Sequence, residues 1–145
     1  MDAIRVKKLK DTATMPTYGS DGAAGADLYA CLDEPVCIEP GSSAFVPTGL
    51  SMEIPEGYAG LIYARSGLAC KRGLAPANKV GVIDSDYRGE FIVVLHNHGC
   101  ESQTIYHGER IAQLLITPVI TPIYLEVGEL TDTQRAGGGF GSTGK

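Results

Sequence analysis

The chain reads as an all-β domain, a sandwich or barrel with one short helix. Three observations carry this. Glycine and proline are frequent and scattered, 19 and 8 in 145 residues. Short apolar runs recur between turn signals at roughly the 8–12-residue spacing of sandwich and barrel strands. Helical periodicity is scarce, and it is the signal an amphipathic helix would leave.

Taken in order, Ala24-Gly-Ala-Asp27-Leu-Tyr-Ala30 sets an acid among small residues ahead of a strand. Phe45-Val46 leads through Pro47-Thr-Gly49 into Leu50-Ser-Met-Glu-Ile54, which alternates as a half-buried strand does. Pro55-Glu-Gly57 then turns the chain into Tyr58-Ala-Gly-Leu-Ile-Tyr63, and the two runs read as a hairpin. The short helix follows Arg65-Ser66-Gly67, with Ser66 as its N-cap and Gly73 closing it. Glu90-Phe-Ile-Val-Val-Leu95 is a strand ended by Asn97-His-Gly99, and Arg110-Ile-Ala-Gln-Leu-Leu-Ile116 is another. Thr117-Pro-Val-Ile-Thr-Pro-Ile-Tyr-Leu125 is apolar with two prolines, which confine a strand to an edge. An apolar edge is covered or shared between chains, so this run points to an oligomer.

Length and charge narrow the function. The chain is expected to form one β-domain over residues 1–134, followed by a flexible glycine-rich tail over residues 135–145. The net charge of −5 excludes a general positive field, so stable nucleic-acid binding is not expected. A small polyanion remains possible where arginines and a divalent metal gather. No apolar run approaches a membrane span, and Met1-Asp-Ala-Ile-Arg-Val-Lys-Lys lacks the apolar core of a signal peptide. A membrane-free intracellular protein is the expectation, cytoplasmic or else nuclear or inside a virus-infected host. Cys31, Cys37, Cys70 and Cys100 show no paired spacing and read as reduced small hydrophobes. His96, His98 and His107 fit no metal spacing and read as surface residues.

Several segments admit both a bland and a chemical reading. In Gly81-Val-Ile-Asp84-Ser-Asp86-Tyr87-Arg88-Gly89 the acids are turn formers, or supply a general base, or form a metal-ligating pair. Tyr87 could then be a flat platform for a sugar or base. Arg65 beside Ser66 is either a solvated side chain at a plain cap or an anion contact. Asp27 is either a strand-edge acid or a residue approached by a ligand. Gln113 is a lone amide in an apolar run and must hydrogen-bond backbone or a phosphate. In Arg135-Ala-Gly-Gly-Gly-Phe-Gly-Ser-Thr-Gly-Lys145, Phe140 suits a lid that stacks on a planar base. A plain Gly/Ser tail is the alternative. The spacing Gly139-x-x-x-x-Gly144-Lys145 matches the opening of a P-loop, but no Ser, Thr or helix follows the Lys in this sequence.

Five of these segments, in this order, resemble the homotrimeric deoxyuridine triphosphatases (dUTPases): Ala24-Gly-Ala-Asp-Leu-Tyr-Ala30, Ala64-Arg-Ser-Gly-Leu-Ala69, Gly81-Val-Ile-Asp-Ser-Asp-Tyr-Arg-Gly89, Gly108-Glu-Arg-Ile-Ala-Gln-Leu114 and Arg135-Ala-Gly-Gly-Gly-Phe-Gly-Ser-Thr-Gly144. The likeness runs from about residue 20 to the tail. It departs at Ala136, where the family usually has Gly, and at Ala64, where Pro is common. It implies a jelly-roll-like β-sandwich or distorted barrel with one short helix, assembled as a homotrimer with C-terminal arm exchange. It implies hydrolysis of dUTP to dUMP and pyrophosphate by Mg2+-assisted water attack on the α-phosphorus, limiting uracil in DNA and supplying dUMP.

The same resemblance implies roles. Asp84 becomes the general base and Tyr87 the sugar platform that rejects a ribose. Uracil would lie against a hairpin over residues 78–83, with Asn78, Gly81 and Ile83 at the pocket. Asp27 would hold Mg2+ through water, and Arg65, Ser66, Gly67 and Gln113 would contact phosphates. In the tail Arg135 would reach a phosphate, Phe140 would cover uracil, and Gly141, Ser142 and Thr143 would close on the γ-phosphate. That makes the tail a lid, and the P-loop match coincidental. Two other classes stand beside this: a dCTP deaminase, which shares the fold but has no use for Tyr87, and a non-catalytic nucleotide sensor.

Overall fold

The computed structural model describes residues 3–139. Twelve strands and one helix follow one another among them. The first half holds β1 (Arg5–Lys8), β2 (Thr17–Tyr18), β3 (Ala26–Tyr29), β4 (Val36–Ile38), β5 (Ser43–Pro47), β6 (Leu50–Glu53) and β7 (Tyr58–Tyr63). The second holds α1 (Ser66–Arg72), β8 (Leu74–Pro76), β9 (Gly81–Ile83), β10 (Ile92–Asn97), β11 (Gln103–Ile105) and β12 (Arg110–Pro118). The largest sheet has the order β2-β3-β12-β7-β9. Facing it are β5-β10-β8 and the two-stranded pairs β1-β6 and β11-β4. The fold is all-β and jelly-roll-like, as expected, but the four sheets stay separate and do not close into a barrel.

The core forms where the layers meet. Leu28, Ile62 and Leu114 of the large sheet join Val46, Leu74, Val93 and Leu95 of the three-stranded sheet in one buried cluster. Each such side chain contributes about 1.5–3 kcal/mol by leaving water. Strand β10 shows the pattern: Val93 and Leu95 point inward, while Ile92 and Val94 point out. Asn97 ends that strand fully buried and fully paired. Its amide nitrogen donates to the Ile38 and Glu101 carbonyls at 2.8 Å, and its oxygen accepts from the Gly99 N–H at 2.9 Å. A buried amide without those partners would cost about 1–3 kcal/mol.

The structure corrects several expectations about partners. Residues 50–54 and 58–63 are not a hairpin: β6 pairs with β1, and β7 lies between β12 and β9. The turn at Pro55 carries the chain from one layer to the other, with Ile54 buried at the crossing. The run over residues 117–125 divides. Thr117 and Pro118 complete β12 opposite Ala59 and Tyr58, on a stretch paired on one side only because the pairing with β3 stops at Leu114, so the edge placement of the proline holds there. Beyond them Ile120, Ile123, Tyr124, Leu125 and Leu130 are exposed, Ile123 at 96 %. The cysteines are free, yet only Cys31 is buried as a small hydrophobe; Cys37, Cys70 and Cys100 are exposed. No helix among the described residues is long and apolar enough to cross a membrane.

Candidate active site

Two clusters flank the large sheet. The first is built around Asp27 on β3, a carboxylate in a residue only 8 % exposed. The Arg65 guanidinium donates to its Oδ1 at 2.6 Å and that of Arg110 to its Oδ2 at 3.2 Å. Arg110 reaches it because the register of β12 against β3 shifts between Arg110 and Ala112. Such an irregularity re-aims a side chain without ending the strand. Gln113 stands opposite both Asp27 and Tyr63, so these three share one face. Its amide nitrogen donates to the Ala64 carbonyl at 2.8 Å. Its oxygen lies against Gly25, where an added Cβ would meet it at 2.7 Å. Asp27, Arg65, Ser66, Gly67, Arg110 and Gln113 line a cavity of about 240 Å3.

Helix α1 enters this cluster differently from the expectation. Ser66 is its first helical residue, not its N-cap. Arg65 occupies the cap position with extended backbone (φ −90°, ψ 131°) and makes no side-chain cap bond. The reason is long-range: Arg65 is drawn to Asp27 across the sheet. A helix of seven residues has little dipole to offer an anion, so the guanidinium supplies the positive charge. The C-terminal expectation holds, with Gly73 at φ 66° accepting the left-handed cap.

The helix is also tied at its far end. Arg72 donates to Gln103 Oε1 at 2.9 Å, to Glu109 Oε2 at 2.7 Å and to the Thr104 carbonyl. Glu109 directly precedes Arg110. The residue before α1 and the first residue of β12 therefore share Asp27, while the last residue of α1 is tied to Glu109, next to Arg110. Arg110 is a site residue that the sequence reading does not assign. Its signal, a cation at the head of an apolar strand, was present beside Gln113.

The second cluster follows β9, the free edge of the large sheet. The expected hairpin over residues 78–83 is not formed. β8 pairs with β10 and β9 with β7, so this segment crosses between sheets. The crossing is tight: the Lys79 N–H donates to the Pro76 carbonyl at 3.0 Å, and Lys79 itself adopts φ 67°. It still brings Asn78 over Gly81, whose added Cβ would lie 3.3 Å from the Asn78 amide nitrogen. Asp84 and Asp86 are not on a strand face. They sit in the turn beyond Ile83, both exposed, with the Tyr87 N–H on the Asp84 carbonyl at 3.2 Å. Arg88 donates to the Ser85 and Tyr87 carbonyls at 2.7 and 2.9 Å and so clamps that turn. Ile83, Asp84, Tyr87, Phe45, Val82 and Ile92 line a cavity of about 310 Å3.

The clusters are not adjacent within one chain. Ile83 is level with Gly60, whereas Asp27 is level with Tyr63 through Gln113. Three strand spacings across and three residues along give a separation on the order of 17 Å. Arg135 lies in a further exposed turn, its guanidinium on the Gly138 carbonyl at 2.8 Å. Phe140, Gly141, Ser142 and Thr143 lie outside the described residues.

Among the described residues, no three His, Cys, Asp or Glu side chains gather to hold a metal. With both Asp27 oxygens taken by arginines, a cation could be held here only through water and through a ligand's own oxygens. His96 and His98, read as unrelated surface residues, meet edge to face at 4.4 Å. His96 is half-buried and bonded to Ser43 at 2.9 Å. Lost hydration, then His96, then Lys79 push the His98 imidazole below its ordinary pKa.

An all-β domain with a guanidinium-lined pocket and a separate exposed carboxylate has the kinds of group that proteins acting on phosphorylated ligands use. The comparisons name the family. The dUTPase family profile matches residues 11–144. The deoxyuridine 5'-triphosphate nucleotidohydrolase of Syntrophotalea carbinolica is 48 % identical over 141 residues, covering 97 % of this chain and 96 % of the relative. That of an Anaeromyxobacter species is 53 % identical over 131 residues, covering 90 % and 88 %. A mutant dUTPase of Staphylococcus bacteriophage 80alpha, solved with dUpNHpp, superposes with a TM-score of 0.90 at 31 % identity, covering both chains fully. A mutant dUTPase of phage phi11 of S. aureus, described as coordinating a structural Mg(II) ion, gives 0.82 at 27 % identity, covering 90 % of this chain and all of that one. The chain belongs to the dUTPase family.

Proposed function

We propose that this protein hydrolyses dUTP to dUMP and pyrophosphate with Mg2+, at sites shared between the copies of a homotrimer. The observation that carries the reading is the division of one sheet into two half-sites. Phosphate-type groups gather at Asp27, Arg65, Arg110 and Gln113, and the exposed carboxylate Asp84 stands at the far edge. A triphosphate is much shorter than the roughly 17 Å between them. A substrate touching both kinds of group therefore takes them from different copies. The exposed apolar residues between Ile120 and Leu130 fit the same picture, as an arm that crosses to a neighbour.

In this reading Asn78, Gly81 and Ile83 receive the uracil edge on the unpaired side of β9, where main-chain groups are not used by a sheet neighbour. Tyr87 packs under the deoxyribose. Arg65, Ser66, Gly67 and Gln113 hold phosphate oxygens. Asp84 takes a proton from a water as its oxygen bonds to the α-phosphorus, and the bond to the pyrophosphate oxygen breaks. Asp27 would hold Mg2+ through water. Bound there, the metal supplies charge neutralisation on the triphosphate oxygens. Residues 135–145 serve as a lid, with Arg135 turning from Gly138 to a phosphate, Phe140 over the base, and Gly141, Ser142 and Thr143 at the γ-phosphate.

The test is pyrophosphate release across all deoxy- and ribonucleoside triphosphates with Mg2+. Release from dUTP far above dTTP, dCTP and UTP is expected. Turnover of dUTP no better than the others contradicts the proposal, and ammonia release from dCTP would favour the deaminase.

A further inference from the structure

We propose that Gly89 is a specificity-determining residue, through the position it allows the Tyr87 ring. This rests on the reading of Tyr87 as the sugar platform. The Tyr87 side chain folds back over the segment between β9 and β10, and its hydroxyl donates to the Glu90 carbonyl at 3.0 Å. Its ring lies 6.2 Å from that of Phe91, tilted by 39°. Gly89 lies directly beneath. A Cβ there would sit 2.3 Å from Oη, 2.5 Å from Cζ and 2.9 Å from Cε2 of Tyr87. No real contact survives at those distances, so any side chain at residue 89 expels the ring from its place.

Expulsion is easy. Tyr87 is 43 % exposed and the clashing atoms are the far end of its side chain, so the ring can swing outward without disturbing the core. The backbone on either side is anchored independently. Ser51 donates to the Arg88 carbonyl at 2.7 Å, Glu90 accepts from the Gly49 N–H at 2.8 Å, and the Phe91 N–H donates to the Leu50 carbonyl at 2.8 Å. The turn that carries Asp84 is held by Arg88 on the Ser85 and Tyr87 carbonyls and by the Tyr87 backbone N–H on the Asp84 carbonyl, none of which uses the phenol. A residue larger than glycine at 89 should therefore shift the sugar platform while leaving the fold and the base-recognising segment over residues 78–83 in place.

The consequence is selective. Steric rejection of one extra hydroxyl or methyl group by a shaped wall is commonly worth about 10- to 200-fold, and it depends on where the wall stands. Moving the ring erodes rejection of the ribose 2'-hydroxyl. Rejection of a 5-methyl group depends on other atoms and is retained.

The experiment measures kcat/KM for dUTP, UTP and dTTP in the full-length protein, in Gly89→Ala and in Tyr87→Ala, with thermal unfolding to confirm that each is folded. In Gly89→Ala the dUTP-to-UTP ratio should fall about tenfold or more, toward that of Tyr87→Ala, while the dUTP-to-dTTP ratio stays within about twofold. The double variant should show no further loss of sugar selectivity. If Tyr87→Ala lowers the dUTP-to-UTP ratio and Gly89→Ala does not, the role of Gly89 is overturned and that of Tyr87 stands. If neither changes it, the platform reading fails and this inference with it. An equal fall in both ratios marks Gly89 as merely structural and also overturns the proposal.

Discussion

Replacing Gly25 with Ala tests how the phosphate-side cluster is held together. The added Cβ would meet Gln113 Oε1 at 2.7 Å, Leu115 Cδ1 at 3.0 Å and Gln113 Cβ at 3.2 Å. Unlike the phenol of Tyr87, these atoms belong to β12, where Gln113 is paired on both sides and Leu115 is paired with β7. Overpacking such a site costs about 1–3 kcal/mol. Pushing the amide off the Ala64 carbonyl loses a hydrogen bond of about 1 kcal/mol. Alanine also restricts the unfolded chain, which returns about 0.4–1 kcal/mol. The net expectation is a loss of about 2 kcal/mol, read from the urea midpoint at fixed protomer concentration. KM for dUTP should rise with it. Truncating the amide removes the worst contact, so Gly25→Ala should cost about 1 kcal/mol less in a Gln113→Ala background. A cost below about 0.5 kcal/mol, or one identical in both backgrounds, would refute the packing argument.

Further outcomes follow from the same geometry. Asp84→Asn should keep wild-type stability, because the residue is exposed, while kcat falls by about 10²–10⁴ and KM holds; stopped assays of pyrophosphate release check this. Phe91→Ala, at a side chain with no exposed surface, should cost about 3–5 kcal/mol in denaturant unfolding. Removing residues 135–145 should cut turnover of dUTP severely while leaving the mass in solution that of a trimer. His98 is held below its ordinary value of 6.5, so its charged form is disfavoured in the folded state. Stability should be complete above pH 6.5 and decline as pH falls below it toward the native-state value; His98→Gln should flatten that decline in thermal scans between pH 7.5 and 5.

Much of the architecture was readable because strand alternation reports which side chains face inward. Residues Ile92 to Leu95 form a strand as their β-branched run implies, with Val93 and Leu95 inward, and Gly73 closed the helix as a residue free to adopt positive φ must. Alternation does not name a strand's partner. That is why residues 50–54 and 58–63, contiguous in sequence, went to different sheets. The site shows the same division. Asp27, Arg65 and Gln113 were singled out by type and neighbours, and they do meet. Ser66 was misplaced as a cap because Arg65 answers to Asp27, 38 residues away in sequence, rather than to its own helix. The pairing of Arg110 with the same carboxylate depends on a register shift that no local pattern announces. The apolar run after Pro118 was visible as an oddity, and its exposure supports the proposed sharing between copies.

The claim of a site shared between copies is tested most directly by mixing two inactive variants. Asp84→Asn lacks the base and Arg65→Ala lacks a phosphate contact. Each alone should be nearly inert toward dUTP. Unfolded together in equal amounts and refolded, they should recover activity, because about a quarter of the sites in randomly mixed rings would join an intact Asp84 from one copy to an intact Arg65 from another. If the mixture stays as inactive as its components while co-refolding is confirmed by mass, both groups come from one chain, and the account is contradicted.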